Sequence, residues 1–288
     1  MGTLYLVGTP IGNLEDITLR ALRVLREVQL IAAEDTRETR KLLTRYEIRT
    51  PVISYHEHSP VVRVRQLLAA LEEGDVALVS DAGMPGIADP GVELVRAAVA
   101  AGHAVVVVPG PSAVTAAAAI SGLVSDGFLF MGFLPRRSQE RREHLAAVRE
   151  LPYPVILFEA PHRLRALLAD ALEVLGDRSI VLCRELTKRF EEVQWTTLRE
   201  AVSQFEAREP RGEFVVVIAP GTAPSPPWDE ETIQRLVAER LAAGSTPRVI
   251  AKELARASGL SRRALYRLAL AVQQERRSRV PNEEGNVG

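Results

Sequence analysis

Residues 76–91 read VALVSDAGMPGIADPG, an apolar run followed directly by a loop rich in glycine and proline. The run predicts a strand that is buried on both faces, as strands of parallel sheets are. Glycine allows a ligand to approach the loop backbone closely, and proline holds the loop in one shape. We expect Asp81 to be the ligand-facing carboxylate of this loop, and Asp89-Pro90 to begin the helix that follows.

The same arrangement occurs twice more near the start of the chain. LYLV at 4–7 precedes GTPIGNL at 8–14, and AVVVV at 104–108 precedes PGPSA at 109–113. Parallel strands end at a common edge of their sheet, so the three loops are expected to meet there. One such loop is equally well explained as a tight turn, whereas three at one edge favour a shared ligand site. None matches the phosphate-loop or GxGxxG pattern, so ATP and NAD lack their usual binding sequence.

The second half of the chain repeats the alternation of strands and helices and predicts a second α/β domain. Its apolar runs are 128–131, 155–158, 180–183 and 214–218. A proline-rich stretch at 220–227 then predicts a stiff linker, after which the pattern is purely helical. The predicted fold class is therefore α/β, with domains at 1–122 and 123–220 and a small all-helical C-terminal appendage at 228–279.

The composition excludes several classes of protein. Among 288 residues there is a single cysteine, Cys183, which excludes an internal disulfide and a cysteine-rich zinc site. A lone cysteine also suits a reducing cytosol. No apolar run reaches the roughly 18–20 residues of a membrane helix, and no basic leader precedes the first strand. We therefore expect a cytoplasmic protein with no membrane partner.

The formal net charge of −1 hides an asymmetry along the chain. Residues 245–279 contain nine Lys or Arg and two Asp or Glu, a local charge of +7, so the rest of the chain carries −8. Two predicted helices joined at Gly259-Leu260 give this segment a helix-turn-helix layout. Concentrated positive charge indicates a polyanionic partner. The basic residues expected to contact phosphates are Arg248, Lys252, Arg262, Arg263 and Arg267.

Four local strings carry a more specific resemblance. They are LVGTPIGNL at 6–14, AEDTR at 33–37, SDAGMPGIADPG at 80–91 and FEAPHR at 158–163. The three loops in their order, followed by a second α/β domain, resemble the tetrapyrrole methylase superfamily. Within it, the four strings together resemble the branch of 16S ribosomal RNA (cytidine 2′-O)-methyltransferases. The resemblance covers nearly the whole chain, including the helical appendage. The superfamily's first loop usually reads Gly-x-Gly-Pro-Gly, and its replacement here by GTPIG argues against a porphyrin substrate.

This resemblance implies two α/β domains with S-adenosylmethionine in the cleft between them, and a homodimer. It also implies methyl transfer to the ribose of a cytidine in 16S ribosomal RNA, either as naked RNA or within the small ribosomal subunit. The residues expected to contact the cofactor lie in the loops and in the FEAPHR string. They are Pro10, Asp81, Ala82, Gly83, Ile87, Ala88, Ser112, Ala113 and Ala160.

A ribose hydroxyl is a weak acid, so a base that takes up its proton is expected to assist transfer. The candidate bases, none preferred over the others, are Glu34, Asp35, His56, Glu57 and Lys188. For Asp35 the competing interpretation is a helix cap. His56, Glu57 and His58 lack an evident further ligand, so no metal is expected.

Basic residues of the second predicted domain are also candidates for RNA contact. Arg136 and Arg137 are expected to bind phosphate, with Ser138 capping the next helix. Arg163 is a further candidate, although a capped helix start explains its string equally well.

Two alternative functions remain open. A methylase of a small tetrapyrrole or corrin would use the same fold and cofactor, but it would leave the basic appendage unexplained. A non-catalytic DNA-binding regulator would use the helix-turn-helix, but the three ligand loops count against it.

Overall fold

The computed structural model describes residues 1–56, 61–221, 229–258 and 260–279. One compact unit comprises residues 1–149 and 153–219, and the helices that follow belong to a second. Glu57 and most of the predicted linker lie outside the described residues. No helix in the described ranges is long and apolar enough to cross a membrane.

The first sheet contains five parallel strands in the order β3-β2-β4-β1-β5. They are β1 (Thr3–Val7), β2 (Leu30–Ala33), β3 (Val52–Ser54), β4 (Val76–Val79) and β5 (Ala104–Val108). At the centre, Leu6 of β1 pairs with Leu78 of β4 on one side and with Val107 of β5 on the other. All five strands run in one direction, so the loops after β1, β4 and β5 lie at the same edge, as predicted.

Four helices cover the two faces of this sheet. They are α1 (Leu19–Glu27), α2 (Thr36–Arg45), α3 (Val61–Glu73) and α4 (Val92–Ala100). Leu25 and Leu42 from α1 and α2 pack on one face, whereas Leu67 and Leu94 from α3 and α4 pack on the other. Successive side chains of a strand point to opposite faces, so a strand of continuous apolar residues contacts both layers.

The predicted start of α4 is wrong. The helix begins at Val92, and Gly91 before it has a φ of 148°, a backbone conformation that favours glycine. Asp89 therefore stays in the loop after β4 instead of opening the helix.

The second sheet is mixed, in the order β6-β7-β10-β8-β9, and only β6 and β7 are parallel. Its strands are β6 (Leu129–Phe133), β7 (Val155–Glu159), β8 (Ser179–Arg184), β9 (Glu192–Thr197) and β10 (Phe214–Ile218). The sequence EVQWTT of β9 contains no apolar run, so the edge strand escaped prediction. The α/β fold class with two sheets is confirmed.

Helices α5 (Ala113–Ser121), α6 (Ser138–Ala147), α7 (Pro161–Leu175) and α8 (Leu198–Ala207) complete this unit. Val114 of α5 packs on the second sheet, in one cluster with Ile156 and Val217. A capping box formed by Thr197 and Glu200 begins α8. Ser138, predicted as a cap, is instead the first residue of α6, and its hydroxyl donates to Asp170 at 3.0 Å.

The second unit contains α9 (Glu230–Ala242), α10 (Pro247–Ser258) and α11 (Arg262–Arg279). Ile233 and Val237 of α9 pack against Ile250, Leu254 and Leu265 of the other two helices. The predicted all-helical C-terminal region is confirmed. Both sheets lie in the other compact unit, so the predicted boundary between two α/β domains near residue 122 stays a prediction.

Candidate cofactor cavity and basic concavity

The loop after β1 is bonded to the loop after β4. Two backbone hydrogen bonds join Thr9 and Gly83. The Thr9 N–H donates to the Gly83 carbonyl at 2.8 Å, and the Gly83 N–H donates to the Thr9 carbonyl at 3.1 Å. The Thr9 hydroxyl also donates to the Ser80 carbonyl at 3.1 Å. Since Thr9 is buried, these bonds hold the two loops in one arrangement.

The loop after β1 also touches the loop after β5, and there it needs glycine. A Cβ atom on Gly8 would lie 2.8 Å from the Cα of Gly110, and one on Gly110 would lie 2.9 Å from the Cα of Gly8. Carbon atoms in contact normally stay about 3.5–4.0 Å apart. The two glycines therefore allow the third loop to close against the first.

A cavity of about 530 Å³ opens at this edge and is walled by residues that follow strands of both sheets. Its volume lies within the usual range for small-molecule sites. Eight of the nine residues predicted to contact the cofactor line it, namely Asp81, Ala82, Gly83, Ile87, Ala88, Ser112, Ala113 and Ala160. The ninth, Pro10, is buried, and its neighbour Ile11 lines the cavity instead. Their contact with a cofactor stays a prediction.

One wall of the cavity is acidic. Glu34, Asp81 and Asp89 all line it, and the Asp81 N–H lies 3.5 Å from Glu34 Oε2. The Asp35 N–H donates to Asp81 Oδ1 at 2.8 Å, which fixes that carboxylate. Burial, together with the negative charge of Glu34, raises the pKa of Asp89 to about 6. Asp89 was missed as a site residue because Asp-Pro suggested a helix start.

Asp35 caps a helix. Its side chain accepts from the Arg37 N–H at 2.8 Å at the start of α2 and forms a 2.6 Å ion pair with the Arg37 guanidinium. The hydrogen bonds from Arg37 lower the pKa of Asp35 to about 2. A carboxylate of such low basicity is a poor proton acceptor, so this placement favours the cap over the predicted catalytic role.

Lys188 lines the cavity between two acids. Its Nζ lies 2.9 Å from Glu185 Oε1 and 2.8 Å from Glu213 Oε2. Burial opposes the charge, but the hydrogen bonds to Glu213 and Glu185 outweigh it and raise the pKa of Lys188. The amine is therefore held as a cation, which suits charge stabilisation better than proton uptake. The sequence prediction missed both acids, because no local pattern links Glu185 to Glu213.

The remaining predicted bases do not reach the cavity within the described residues. His56 is exposed just after β3 and is not among the lining side chains, and Glu57 lies outside the described residues. In the described ranges no three His, Cys, Asp or Glu side chains are grouped to hold a metal. The expected absence of a metal stays a prediction.

Glu159 and Arg163 form a buried pair at the start of α7. Arg163 Nε lies 3.1 Å from Glu159 Oε1, which also accepts the Ala160 N–H at 2.9 Å. The Arg163 guanidinium further donates to the Leu134 carbonyl. Burial raises the pKa of Glu159 despite these partners. Arg163 was predicted to bind phosphate, and its inward placement gives that prediction no support.

The rest of the cavity wall is largely apolar. Phe158 packs edge-on against Phe133, with ring centroids 5.6 Å apart, and Cys183 lies beside them in the lining. Burial raises the pKa of Cys183 to about 11, so it remains a thiol. His162 also lines the cavity.

A second concavity, here called the basic concavity, lies on the helical unit. Its volume is about 700 Å³, and its lining is Arg248, Ala251, Lys252, Arg262, Arg263 and Tyr266. Four of the five residues predicted there as phosphate contacts thus share one surface, while Arg267 is exposed outside the lining. In the other unit, Arg136 is exposed and Arg137 pairs with Glu140 at 3.2 Å. RNA contact by these residues stays a prediction.

Comparison with known proteins identifies the family to which this chain is similar. The sequence model of the tetrapyrrole (corrin/porphyrin) methylases matches residues 3–202. The chain is 46% identical over 278 residues to a ribosomal RNA small subunit methyltransferase I from Synechocystis, covering 96% of this chain and 100% of the relative. It is 41% identical over 272 residues to the protein of that name from Bacillus subtilis, covering 92% and 93%.

A relative from Thermotoga maritima with the same name is shorter. It is 49% identical over 220 residues, which are 99% of that protein but 76% of this chain. About a quarter of the present chain therefore has no counterpart in it.

Solved structures share the fold at low sequence identity. Diphthine synthase matches with a TM-score of 0.62 and 18% identity, over 76% of this chain and 90% of that one. Uroporphyrin-III C-methyltransferase from Thermus thermophilus, solved with S-adenosylhomocysteine, matches with a TM-score of 0.54 and 20% identity, over 77% and 98%. At such identities the likeness establishes the architecture only.

Proposed function

The chain belongs to the tetrapyrrole methylase family, and from that premise we propose that it methylates 16S ribosomal RNA with S-adenosylmethionine. Relatives with 41–49% identity are named ribosomal RNA small subunit methyltransferases, which makes this chain a methyltransferase of the same kind. The finer part of the proposal is the acceptor, which we take to be the ribose 2′ oxygen of a cytidine. The cavity carries this proposal, because its walls are the loops expected to hold the cofactor.

The cavity residues fit the cofactor in charge and in shape. S-adenosylmethionine has a cationic sulfonium and ammonium, and the acidic wall of Glu34, Asp81 and Asp89 would attract both. The apolar side with Phe133 and Phe158 would accept the adenine. The glycine-rich backbone at Gly83 permits close approach. When bound, the cofactor supplies a methyl group on sulfonium, already an activated electrophile.

The protein's own contribution is then alignment and proton removal. The closed loop arrangement around Thr9 and Gly8 would hold the acceptor hydroxyl in line with the methyl group, and alignment of this kind supplies much of a rate. We infer that the proton goes to the acidic wall. Glu34, among the predicted bases, and Asp89, whose pKa of about 6 lies nearest to neutrality, are its strongest candidates.

The basic concavity is proposed to bind the RNA backbone. Four cationic side chains on one surface, with no acid in its lining, suit a polyanion. The deep major groove of an RNA helix is too narrow for a recognition helix, so the contact is proposed to follow shape and charge. A homodimer, which rests on the resemblance, and a cytoplasmic location, which rests on the lone cysteine, belong to the same proposal.

A tritiated-methyl assay tests the proposal. Purified small ribosomal subunits, free 16S RNA and a corrin precursor are supplied in parallel, and label is expected in the RNA alone. Nuclease digestion and mass spectrometry then locate the methyl group, which is expected on a cytidine ribose. Label in the corrin precursor, or on a nucleobase, would contradict the substrate or the acceptor, respectively.

A further inference from the structure

A second open concavity, here called the loop groove, adjoins the cofactor cavity. Its volume is about 620 Å³, and its lining is Gly12, Asn13, Leu14, Glu15, Arg45, Thr187, Lys188 and Arg189. Lys188 lines both the groove and the cavity, and Gly12 directly follows Ile11 of the cavity wall. A chain lying in the groove would therefore run up to the cavity mouth.

The backbone that forms the groove is held in an uncommon shape. Glu185 and Thr187 have φ values of 51° and 66°, a left-handed conformation that is strained for non-glycine residues. A Cβ atom on Gly12 would overlap the Lys188 side chain and lie 2.9 Å from Thr187 Oγ1. The two loops are thus fitted closely together, and this fixes the position of the residues that follow.

The groove presents two arginines that no acid neutralises. In the described part of the chain, neither Arg45 nor Arg189 has a carboxylate within ion-pair distance, not even Glu15, the one acid in the groove lining. Lys188, in contrast, is held by Glu185 and Glu213. The Arg189 guanidinium lies 5.6 Å from the ring centroid of Phe190. Two unpaired cations beside a catalytic cavity suit the phosphates that flank a reacting nucleotide.

Next to these cations is an exposed aromatic ring. Phe190 is 66% exposed even though the Arg189 guanidinium lies over its ring, so much of the ring is open to a partner. Cationic grooves with exposed aromatic rings are the usual binding surface for single-stranded nucleic acid, in which each base stacks on a ring. Sequence-specific RNA recognition mostly targets unpaired loops, bulges and ends, so single-stranded RNA is the form that fits.

We propose that the loop groove binds the single-stranded RNA segment next to the methylated nucleotide, with Phe190 stacking on a base and Arg45 and Arg189 on phosphates. This rests on the proposed function and names a substrate site within the α/β unit.

The test measures binding of a fluorescein-labelled ten-nucleotide oligocytidylate to the full chain. Phe190→Ala is expected to weaken binding about 5- to 150-fold, since stacking on one base contributes about 1–3 kcal/mol. Phe190→Trp is expected to restore it. Arg189→Ala and Arg45→Ala are each expected to reduce the log–log salt slope by about 0.7.

Matched controls lie elsewhere on the same unit. Arg96→Ala removes an exposed arginine on α4, on the opposite face of the first sheet from α2, and Tyr153→Ala removes a ring that is 46% exposed. Both controls are expected to bind the oligonucleotide as the parent does. All variants are expected to keep their melting temperature and their S-adenosylmethionine affinity, because the altered side chains are exposed.

The outcomes separate the groove from the proposed function. If the parent methylates small ribosomal subunits but Phe190→Ala and Arg189→Ala bind and react unchanged, the groove proposal is wrong. If the parent methylates no RNA at all, the proposed function itself has failed. A change from dimer to monomer in Phe190→Ala, seen by analytical ultracentrifugation, would make the groove a self-association surface and would also overturn the proposal.

Discussion

The cofactor cavity and the basic concavity carry opposite charge. The cavity is lined by six acids, Glu34, Asp81, Asp89, Glu159, Glu185 and Glu213, against the cation of Lys188 and the imidazole of His162. The basic concavity has four cations and no acid in its lining. One is suited to a small cationic cofactor and the other to a polyanion. Under the proposed function, each unit would bind a different component of the same reaction.

The two sites also differ in how their backbones are built. Gly83 and Ala88 line the cavity with φ values of 81° and 61°, whereas the basic concavity lies on regular helices. A small ligand that must be aligned for reaction needs close and rigid backbone approach. A phosphate backbone needs only charges at suitable spacing. The comparison teaches that a site which aligns a ligand is built on unusual backbone, whereas a site which attracts a ligand by charge can lie on regular helices.

The largest expected effect comes from removing the proposed base from the acidic wall. Asp89→Asn is expected to slow methyl transfer about 100- to 10,000-fold in single-turnover assays. A base works only when deprotonated, so the parent's rate should fall as the pH drops through about 6, the pKa of Asp89. The pH–rate profile of Asp89→Asn should lack this fall in rate.

Asp35→Asn is the matched control, because Asp35 caps α2 and its pKa is about 2. It should keep near-normal turnover. If the fall in rate near pH 6 disappears in Glu34→Gln but remains in Asp89→Asn, the proton goes to Glu34 instead.

The next effect tests the basic concavity. Replacing Arg248, Lys252, Arg262 and Arg263 together by glutamine should reduce the log–log salt slope of RNA binding by about 2.8, at about 0.7 for each phosphate that is no longer neutralised. Cofactor affinity should stay unchanged, since the cavity lies in the other compact unit. A truncation before residue 228 should have the same two effects.

The control for this charge change lies on α9. Arg235→Gln and Arg240→Gln remove cations that pair with Glu239 and Glu253 outside the concavity. Their salt slope should match that of the parent. An unchanged slope in the fourfold variant would leave the helical unit without an RNA-binding role.

A smaller effect tests whether the cavity depends on the close approach of the loops after β1 and β5. Gly8→Ala should destabilise the protein by about 1–3 kcal/mol and weaken S-adenosylmethionine binding, because the new Cβ would overlap Gly110. Thermal unfolding and calorimetry measure both. At Gly127 a new Cβ would lie 3.6 Å from the Tyr153 ring, an ordinary contact, so Gly127→Ala should show neither effect. Equal losses at both positions would contradict the argument.

The smallest effect is on stability. The pKa of Asp89 is raised from 3.8 to about 6, so ionising it in the folded protein opposes folding as the pH rises through that window. Asp89→Asn should therefore raise the melting temperature at pH 7.5 by about 2–4 °C, and by less near pH 4. Replacing the arginines of the helical unit is not expected to raise the melting temperature in this way. A lower melting temperature at pH 7.5 would show that the acidic wall stabilises the fold.

Local pattern was enough to predict much of the fold. Continuous apolar runs predicted the strands of the first sheet, because parallel strands are buried on both faces. The same rule failed at β9, an edge strand whose residues are partly buried or exposed. Helix α4 starts after Gly91, whose φ is 148°. The geometry of the loop sets this start, and the Asp-Pro pattern does not.

The cofactor loops were predictable for a similar reason. Residues such as Asp81 and Ser112 follow apolar runs closely, so their place at the sheet edge follows from strand direction. The charges of the site were not predictable in this way. Asp89 interacts with Glu34, and Lys188 bonds to Glu213, across separations that no local pattern records.

The sequence by itself determined the two sheets, the three loops at one edge and the concentrated positive charge near the C-terminus. Those features depend on residue type and on short-range periodicity. Only the tertiary structure decided which charged groups act together. It made Asp35 a helix cap, held Lys188 as a cation, turned Arg163 inward and brought Asp89 into the cavity. The reason is physical, since a side chain's basicity depends on burial and on neighbouring charges, and these are set by chain segments far apart in sequence.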